Sequence, residues 1–146
     1  MMVSTKGRYA LRVMTELAMR ETDRFVSLRE LAEYQQISEK YLEIIMKSLV
    51  KAGIVIGLRG KGGGYRMGKA PEECTLAEIL RATEGSLAPV ACLEDGAECP
   101  RREQCVTLPV WQGLDELIDQ YFQGITLAQL VEQARQAGQV GQCAMI

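Results

Sequence analysis

The stretch CLEDGAECPRREQC gathers three of the chain's five cysteines, Cys92, Cys99 and Cys105, in the spacing C-x6-C-x5-C. Thiolates are soft ligands that suit iron–sulfur clusters and zinc. Four readings are open on the residues alone: an iron–sulfur anchor, a zinc clip on three cysteines, a thiol redox switch, or thiols with no role. The chain has no histidine, which removes the usual general base near neutral pH and the commonest metal ligand. Ser-His-Asp and Cys-His catalysis are excluded with it. No C-x-x-C is present, so a thiol oxidoreductase is disfavoured and the chain does not read as an enzyme. Cys74, just ahead of a helix cap, reads as a buried structural thiol, and Cys143 is a lone cysteine near the C-terminal end.

A second chemical feature is RGKGGGY, residues 59–65. It lacks the G-x-x-x-x-G-K-[ST] pattern of a phosphate cradle, and strand-prone residues follow it rather than a helix. A glycine-rich turn lets the backbone approach another molecule closely. Arg59 and Lys61 add positive charge at the tip, and an arginine there can enter a narrow minor groove. Upstream, Ser38, Lys40, Tyr41 and Glu43 cluster at the start of a helical pattern, where base edges would be met. Lys40, Lys47 and Lys51 suit phosphate neutralisation on its exposed face.

These residues need elements to hold them. Tyr9, Val13, Leu17 and Ala10, Met14, Ala18 repeat at helical spacing across residues 5–21. Ser27 and Glu30 suggest a capping box for a second helix, with Leu28, Leu31 and Ala32 as its buried stripe. After the break at QQI, Ser38 caps a third helix with Leu42, Ile45, Met46 and Leu49 inward and Gly53 as its stop. Ile54–Leu58 and Tyr65–Met67 then flank the glycine turn as a hairpin. Helix, helix, tight turn, helix, hairpin is the winged helix-turn-helix, whose third helix enters the major groove.

Beyond residue 70, Thr75 and Glu78 form a second capping box, and Gly85 stops that helix. A longer helix follows the cysteines, with Pro109 in its first turn. Its wide apolar face, Val110, Leu114, Leu117, Ile118, Tyr121 and Phe122, exceeds what a small core needs and suggests a dimer interface. Thr126 caps a last short helix. The fold class is mainly α with a small β-hairpin wing. The expected organisation is a DNA-binding domain over 1–69, a cysteine-loop and dimerisation region over 70–132, and a flexible tail over 133–146.

Charge divides along the same line. Residues 1–69 carry 13 Lys or Arg against 7 Asp or Glu, while residues 70–146 carry 4 against 12. The chain of 146 residues, 47% apolar and 25% charged, is thus basic where nucleic acid would bind and acidic beyond it. No apolar run reaches the ~18–20 residues of a membrane span. MMVSTKGRYALRVM has no apolar core of a secretory signal, so the expected location is cytoplasmic, where disulfides are disfavoured.

Together STKGRYAL, SLRELAE with ISEKYLE, AGIV with RGKGGGY, and LAEILRATEG resemble the Rrf-type winged helix-turn-helix regulators over residues 2–132. That group includes the iron–sulfur regulator IscR, the nitric-oxide sensor NsrR and the cysteine-metabolism regulator CymR. The resemblance implies a homodimer joined by the long helix. It also implies double-stranded operator DNA as partner, contacted through Ser38, Lys40, Tyr41, Glu43 and Arg59. Ile44 departs from the IscR-like pattern, which has a polar residue there. Cys92, Cys99 and Cys105 match the cluster-binding cysteines, and a two-iron cluster is favoured over a four-iron one.

The fourth ligand departs from the pattern. IscR-like members place a histidine where this chain has Leu108, and NsrR-like members a carboxylate where it has Arg8. Glu94, Asp95, Glu98, Glu103, Cys74, Cys143 or an external ligand remain as candidates. The expected function is a DNA-binding regulator controlled by the cluster. The alternative is a metal-free regulator governed by a partner protein or by thiol oxidation.

Overall fold

The computed structural model describes residues 3–20 and 23–138. Six helices and one hairpin follow in order: α1 (Thr5–Met19), α2 (Leu28–Gln35), α3 (Glu39–Lys51), β1 (Val55–Leu58), β2 (Gly64–Met67), α4 (Leu76–Glu84), α5 (Leu108–Gln123) and α6 (Leu127–Gln136). This is the mainly α fold with a hairpin wing expected from the sequence. No helix among the described residues is long and apolar enough to cross a membrane.

The helices begin where capping chemistry places them. Ser38 accepts from the Tyr41 amide at the head of α3. Thr75 with Glu78 and Thr126 with Gln129 form complete capping boxes on α4 and α6. The box expected at Ser27 forms only by half. Ser27 accepts from the Glu30 amide, but the Glu30 carboxylate is taken by Arg20 at the end of α1 and by Arg24. A charged partner outbids a backbone amide for the same oxygen.

Between α2 and α3, Gln36 takes the left-handed conformation at φ 55°. It is the one non-glycine among the described residues to do so, and the strain is sustained by its surroundings. Arg12 of α1 donates to the Gln35 side chain at 3.2 Å and to the Gln35 carbonyl at 2.7 Å. The buried polar groups of the turn are thereby satisfied from the neighbouring helix.

α1 runs through the centre, with Ala10, Val13, Met14, Leu17 and Ala18 all buried. Leu42, Ile45, Met46 and Leu49 of α3 meet it, as the sequence pattern required. The same core takes in Cys74, Leu76 and Ile79 around α4 and Leu127 and Val131 of α6, so packing is continuous across residue 69. Burial pushes the Cys74 thiol up to about 11, so it stays protonated and structural.

α5 stands apart, since none of its residues is buried. Its apolar face splits in two. Phe122 packs against the core. Val110, Leu114, Leu117 and Tyr121, at i, i+4, i+7 and i+11, form a stripe 61%, 40%, 64% and 66% exposed.

Candidate nucleic-acid interface and cysteine loop

The core face of α3 fixes what its opposite face presents. With Leu42, Ile45, Met46 and Leu49 inward, the 3.6-residue period sends Lys40, Glu43, Ile44, Lys47 and Lys51 outward, and all five are exposed. Glu43 and Lys47 form an i,i+4 ion pair at 3.4 Å. Ser38 is exposed at the N-cap with its hydroxyl engaged by the Tyr41 amide at 3.2 Å. Tyr41 turns toward α1 instead, half-buried, its ring edge-on to Tyr9 with centroids 5.9 Å apart. Lys6 of α1 donates to Ser48 of α3 at 3.1 Å and adds another cation beside this face.

The wing rises next to it. β1 and β2 pair antiparallel from Val55 opposite Met67 to Leu58 opposite Gly64. Val26 pairs with Tyr65 through two backbone hydrogen bonds of 2.8 Å, tying the outer edge of the wing to the segment before α2. Two glycines are explained by this close approach. A Cβ on Gly64 would lie 2.1 Å from the Val26 carbonyl oxygen, and one on Gly63 would lie 2.2 Å from that of Leu58. Arg59 and Lys61 are exposed at the tip, separated by Gly60 at φ 93°.

Between α3 and the wing lies an open cleft of about 550 Å³, lined by Glu43, Lys47 and Lys51 on one side and Leu58, Arg59 and Tyr65 on the other. Burial raises the Tyr65 phenol and Glu43 adds to the rise, while Lys47 and Arg59 oppose it. The helix and wing residues singled out in the sequence therefore act on the same phenol. Of the DNA-contact candidates, Ser38, Lys40, Glu43, Lys47, Arg59 and Lys61 are exposed and Tyr41 is half-buried, and the cleft brings together Glu43, Lys47 and Arg59.

The cysteine loop is built differently. Cys92 sits in the short turn Ala91–Leu93, Cys99 in irregular backbone, and Cys105 at the end of the turn Arg102–Gln104. All the described cysteines are free thiols, with Cys99 exposed and Cys92 and Cys105 half-buried. Arg102 donates to the Cys92 carbonyl at 3.2 Å, bracing the loop across its width. The Cys105 sulfur lies 3.4 Å from the Thr107 hydroxyl, and hydrogen bonding from Thr107 and then Leu108 draws its pKa below the ordinary thiol value.

The donor set fits an iron–sulfur cluster in kind, as three accessible thiols, with the Cys105 pKa drawn down by its hydrogen bonds. It is not gathered: among the described residues no group of three or more Cys, Asp or Glu is placed to hold one metal ion. Leu108 begins α5, and Arg8 bonds Thr5 at 3.1 Å, so neither offers a ligand atom. Cys143 lies outside the described residues.

One long-range contact escaped the sequence reading. Glu84, the last residue of α4, accepts at Oε1 from the Ser4 amide at 3.0 Å, the Ser4 hydroxyl at 2.6 Å and the Gly7 amide at 3.1 Å. A carboxylate at the N-terminus of α1 is favoured by the helix dipole as well. Gly7 permits the contact, because a Cβ there would lie 2.3 Å from that oxygen. The last residue of α4 thus holds the helix that, through Lys6 and Ser48, touches α3. A glycine in the first turn of α1 was the available signal.

Comparison with known proteins bears on this arrangement. Residues 3–133 match the family model Rrf2, described as iron-dependent transcriptional regulator. The regulator IscR of Erwinia tasmaniensis is 37% identical over 132 residues, which is 90% of this chain and 79% of that protein. Protein rrf2 of Nitratidesulfovibrio vulgaris is 33% identical over 92% of this chain and 89% of its own length. Among solved structures, IscR of T. potens superposes with a TM-score of 0.73 at 33% identity, covering all of this chain and 94% of that one. CymR, the global cysteine regulator of B. subtilis, gives 0.71 at 34% identity, covering 91% and 98%. The resemblance read from the sequence is borne out on both sequence and fold: the chain belongs to the Rrf2 family.

Proposed function

We propose that this chain is a DNA-binding transcriptional regulator that works as a homodimer and whose operator affinity is set at the loop of Cys92, Cys99 and Cys105. The observation that carries the reading is the shared exposed side of α3 and the wing. It presents Glu43, Lys47, Lys51 and Arg59 together around an open cleft, with Lys40 exposed in the first turn of α3 and Lys61 exposed at the wing tip. Lys40, Lys47 and Lys61 neutralise phosphates, which supplies most of the sequence-independent affinity. Glu43 accepts from a cytosine amino group in the major groove, and Arg59 reaches into the minor groove.

The stripe of Val110, Leu114, Leu117 and Tyr121 is the surface on which a second copy packs. Burying four such side chains is worth about 6–12 kcal/mol as an upper estimate. Two recognition helices then address two half-sites.

A cluster bound by Cys92, Cys99 and Cys105 would supply iron that responds to redox state and to small ligands, with the fourth position filled by a ligand other than these three thiols. Arg102 bonds the loop backbone at Cys92, and Thr107 bonds the Cys105 sulfur, which steadies the loop for that role. Because Glu84 joins the root of the loop to α1 and Lys6 joins α1 to α3, a change of order in the loop alters how the recognition helices are presented. Thermodynamically this is linkage between two sites on one molecule. A two-iron cluster is the favoured form.

The second reading is control without metal, by oxidation of the same thiols or by a partner protein. It is supported by the fold likeness to CymR and by thiols that stand free and ungathered.

Fluorescence anisotropy tests the DNA reading with a duplex selected from a random pool. Arg59→Ala is expected to weaken binding to the selected duplex by about 1–3 kcal/mol. Equal affinity in wild type and variant would overturn the role of the wing.

A further inference from the structure

Ile44 is 48% exposed at the crown of α3 and lends nothing to the core. By helical period it lies between Lys40 and Lys47, with Lys51 two turns beyond. On its other flank Ser48 accepts from Lys6 at 3.1 Å and donates to the Ile44 carbonyl at 3.3 Å. An apolar side chain set among lysines on the exposed face of α3 is a poor seat for an apolar protein partner, because docking would strip those ammonium groups of water. Against a polyanion the same lysines are an asset.

Within a duplex, one group in the major groove is apolar, the C5-methyl of thymine, and apolar side-chain contact is how it is read. Glu43 points to the neighbouring cleft, which Ile44 does not line, so the two side chains address different base pairs.

We propose that Ile44 is a specificity-determining residue that reads the C5-methyl group of a thymine in each half-site. This rests on the DNA-binding reading above and adds the base and the atom recognised. Contact with a methyl group carries no hydrogen bond, so it selects thymine over cytosine and over uracil by apolar burial alone. The expected size follows from one buried methyl-sized group, about threefold to tenfold in affinity.

The test begins with selection from a random duplex pool, using the full chain in its iron-loaded and metal-free forms. Each thymine of the enriched half-site is then replaced singly by deoxyuridine, which removes the methyl group and keeps the Watson–Crick pairing. The expected result is one position per half-site where uracil weakens wild-type binding by about threefold to tenfold. That difference should disappear in Ile44→Gln and persist in Ile44→Val. Enrichment of a sequence in which no uracil substitution has an effect overturns the assignment of Ile44 and leaves DNA reading in place. A methyl effect unchanged in Ile44→Gln assigns it to another residue and overturns the proposal equally. Failure of both forms to enrich any sequence overturns the DNA-binding reading itself.

Discussion

The two halves of the molecule differ in how complete they are within one chain. Around α1 to α3 and the wing, every helix stripe finds a partner. The strained turn at Gln36 is bonded from α1, and the wing is tied back to Val26. Around the cysteine loop and α5, no residue from Ala88 to Gly124 is buried, the thiols stand free, and an apolar stripe faces outward. The reading surface is assembled by the chain alone. On the proposed function, the cysteine loop and α5 are the parts that a second copy and a bound group would finish. A regulator benefits from that division, since the part that changes must have somewhere to go.

The sharpest way to break this contrast is thiol reactivity in the metal-free protein. Cys92, Cys99 and Cys105 should be alkylated freely at neutral pH. Cys74, buried and with its thiol pushed up to about 11, should react at least about a thousandfold more slowly, waiting on unfolding. Mass spectrometry of partly labelled protein checks this, and early labelling of Cys74 would erase the distinction. Next in size is the dimer surface. Val110→Glu with Leu117→Glu should give a monomer by sedimentation and weaken specific DNA binding about a hundredfold or more, with the helical signal near wild type.

The join between the halves is tested by Glu84→Ala, which leaves the Ser4 amide without its acceptor and the Gly7 amide with the Ser4 hydroxyl alone at 3.5 Å. A loss of about 1–3 kcal/mol in urea unfolding is expected. An unchanged midpoint would mean that the contact contributes nothing to holding α1. Smallest is Lys47→Ala, which should lower the salt dependence of binding by about one phosphate and weaken all duplexes alike. Loss confined to one operator would make Lys47 a base reader instead.

The sequence was most informative where structure is local. Ser38, Thr75 and Thr126 announce helix starts through bonds made within three residues, and the stripes of α1 and α3 follow from the helical period. It was less informative where distant segments compete for one group. Glu30 looked like a capping partner until Arg20 took its carboxylate. Glu84 and Ser4 are 80 positions apart, and Gly7 in the first turn of α1 marks a close approach without naming the partner. The glycines of the wing read as freedom to approach another molecule, yet Gly63 and Gly64 are needed first for the chain's approach to itself. The apolar face of α5 was legible as too wide, but its division into an inner and an outer edge depends on where α4 and α6 pack.

The measurement that bears most directly on control of the reading surface is operator affinity across one preparation. The protein is purified without oxygen, its iron and sulfide are assayed, and its binding to the selected duplex is measured before and after the metal is removed. The account expects stoichiometric iron and sulfide and at least about a tenfold difference in affinity between the two states. In Cys92→Ala both the iron and the difference should be absent. Equal affinity with and without a confirmed cluster, or a difference that survives in Cys92→Ala, would contradict control through the three-cysteine loop.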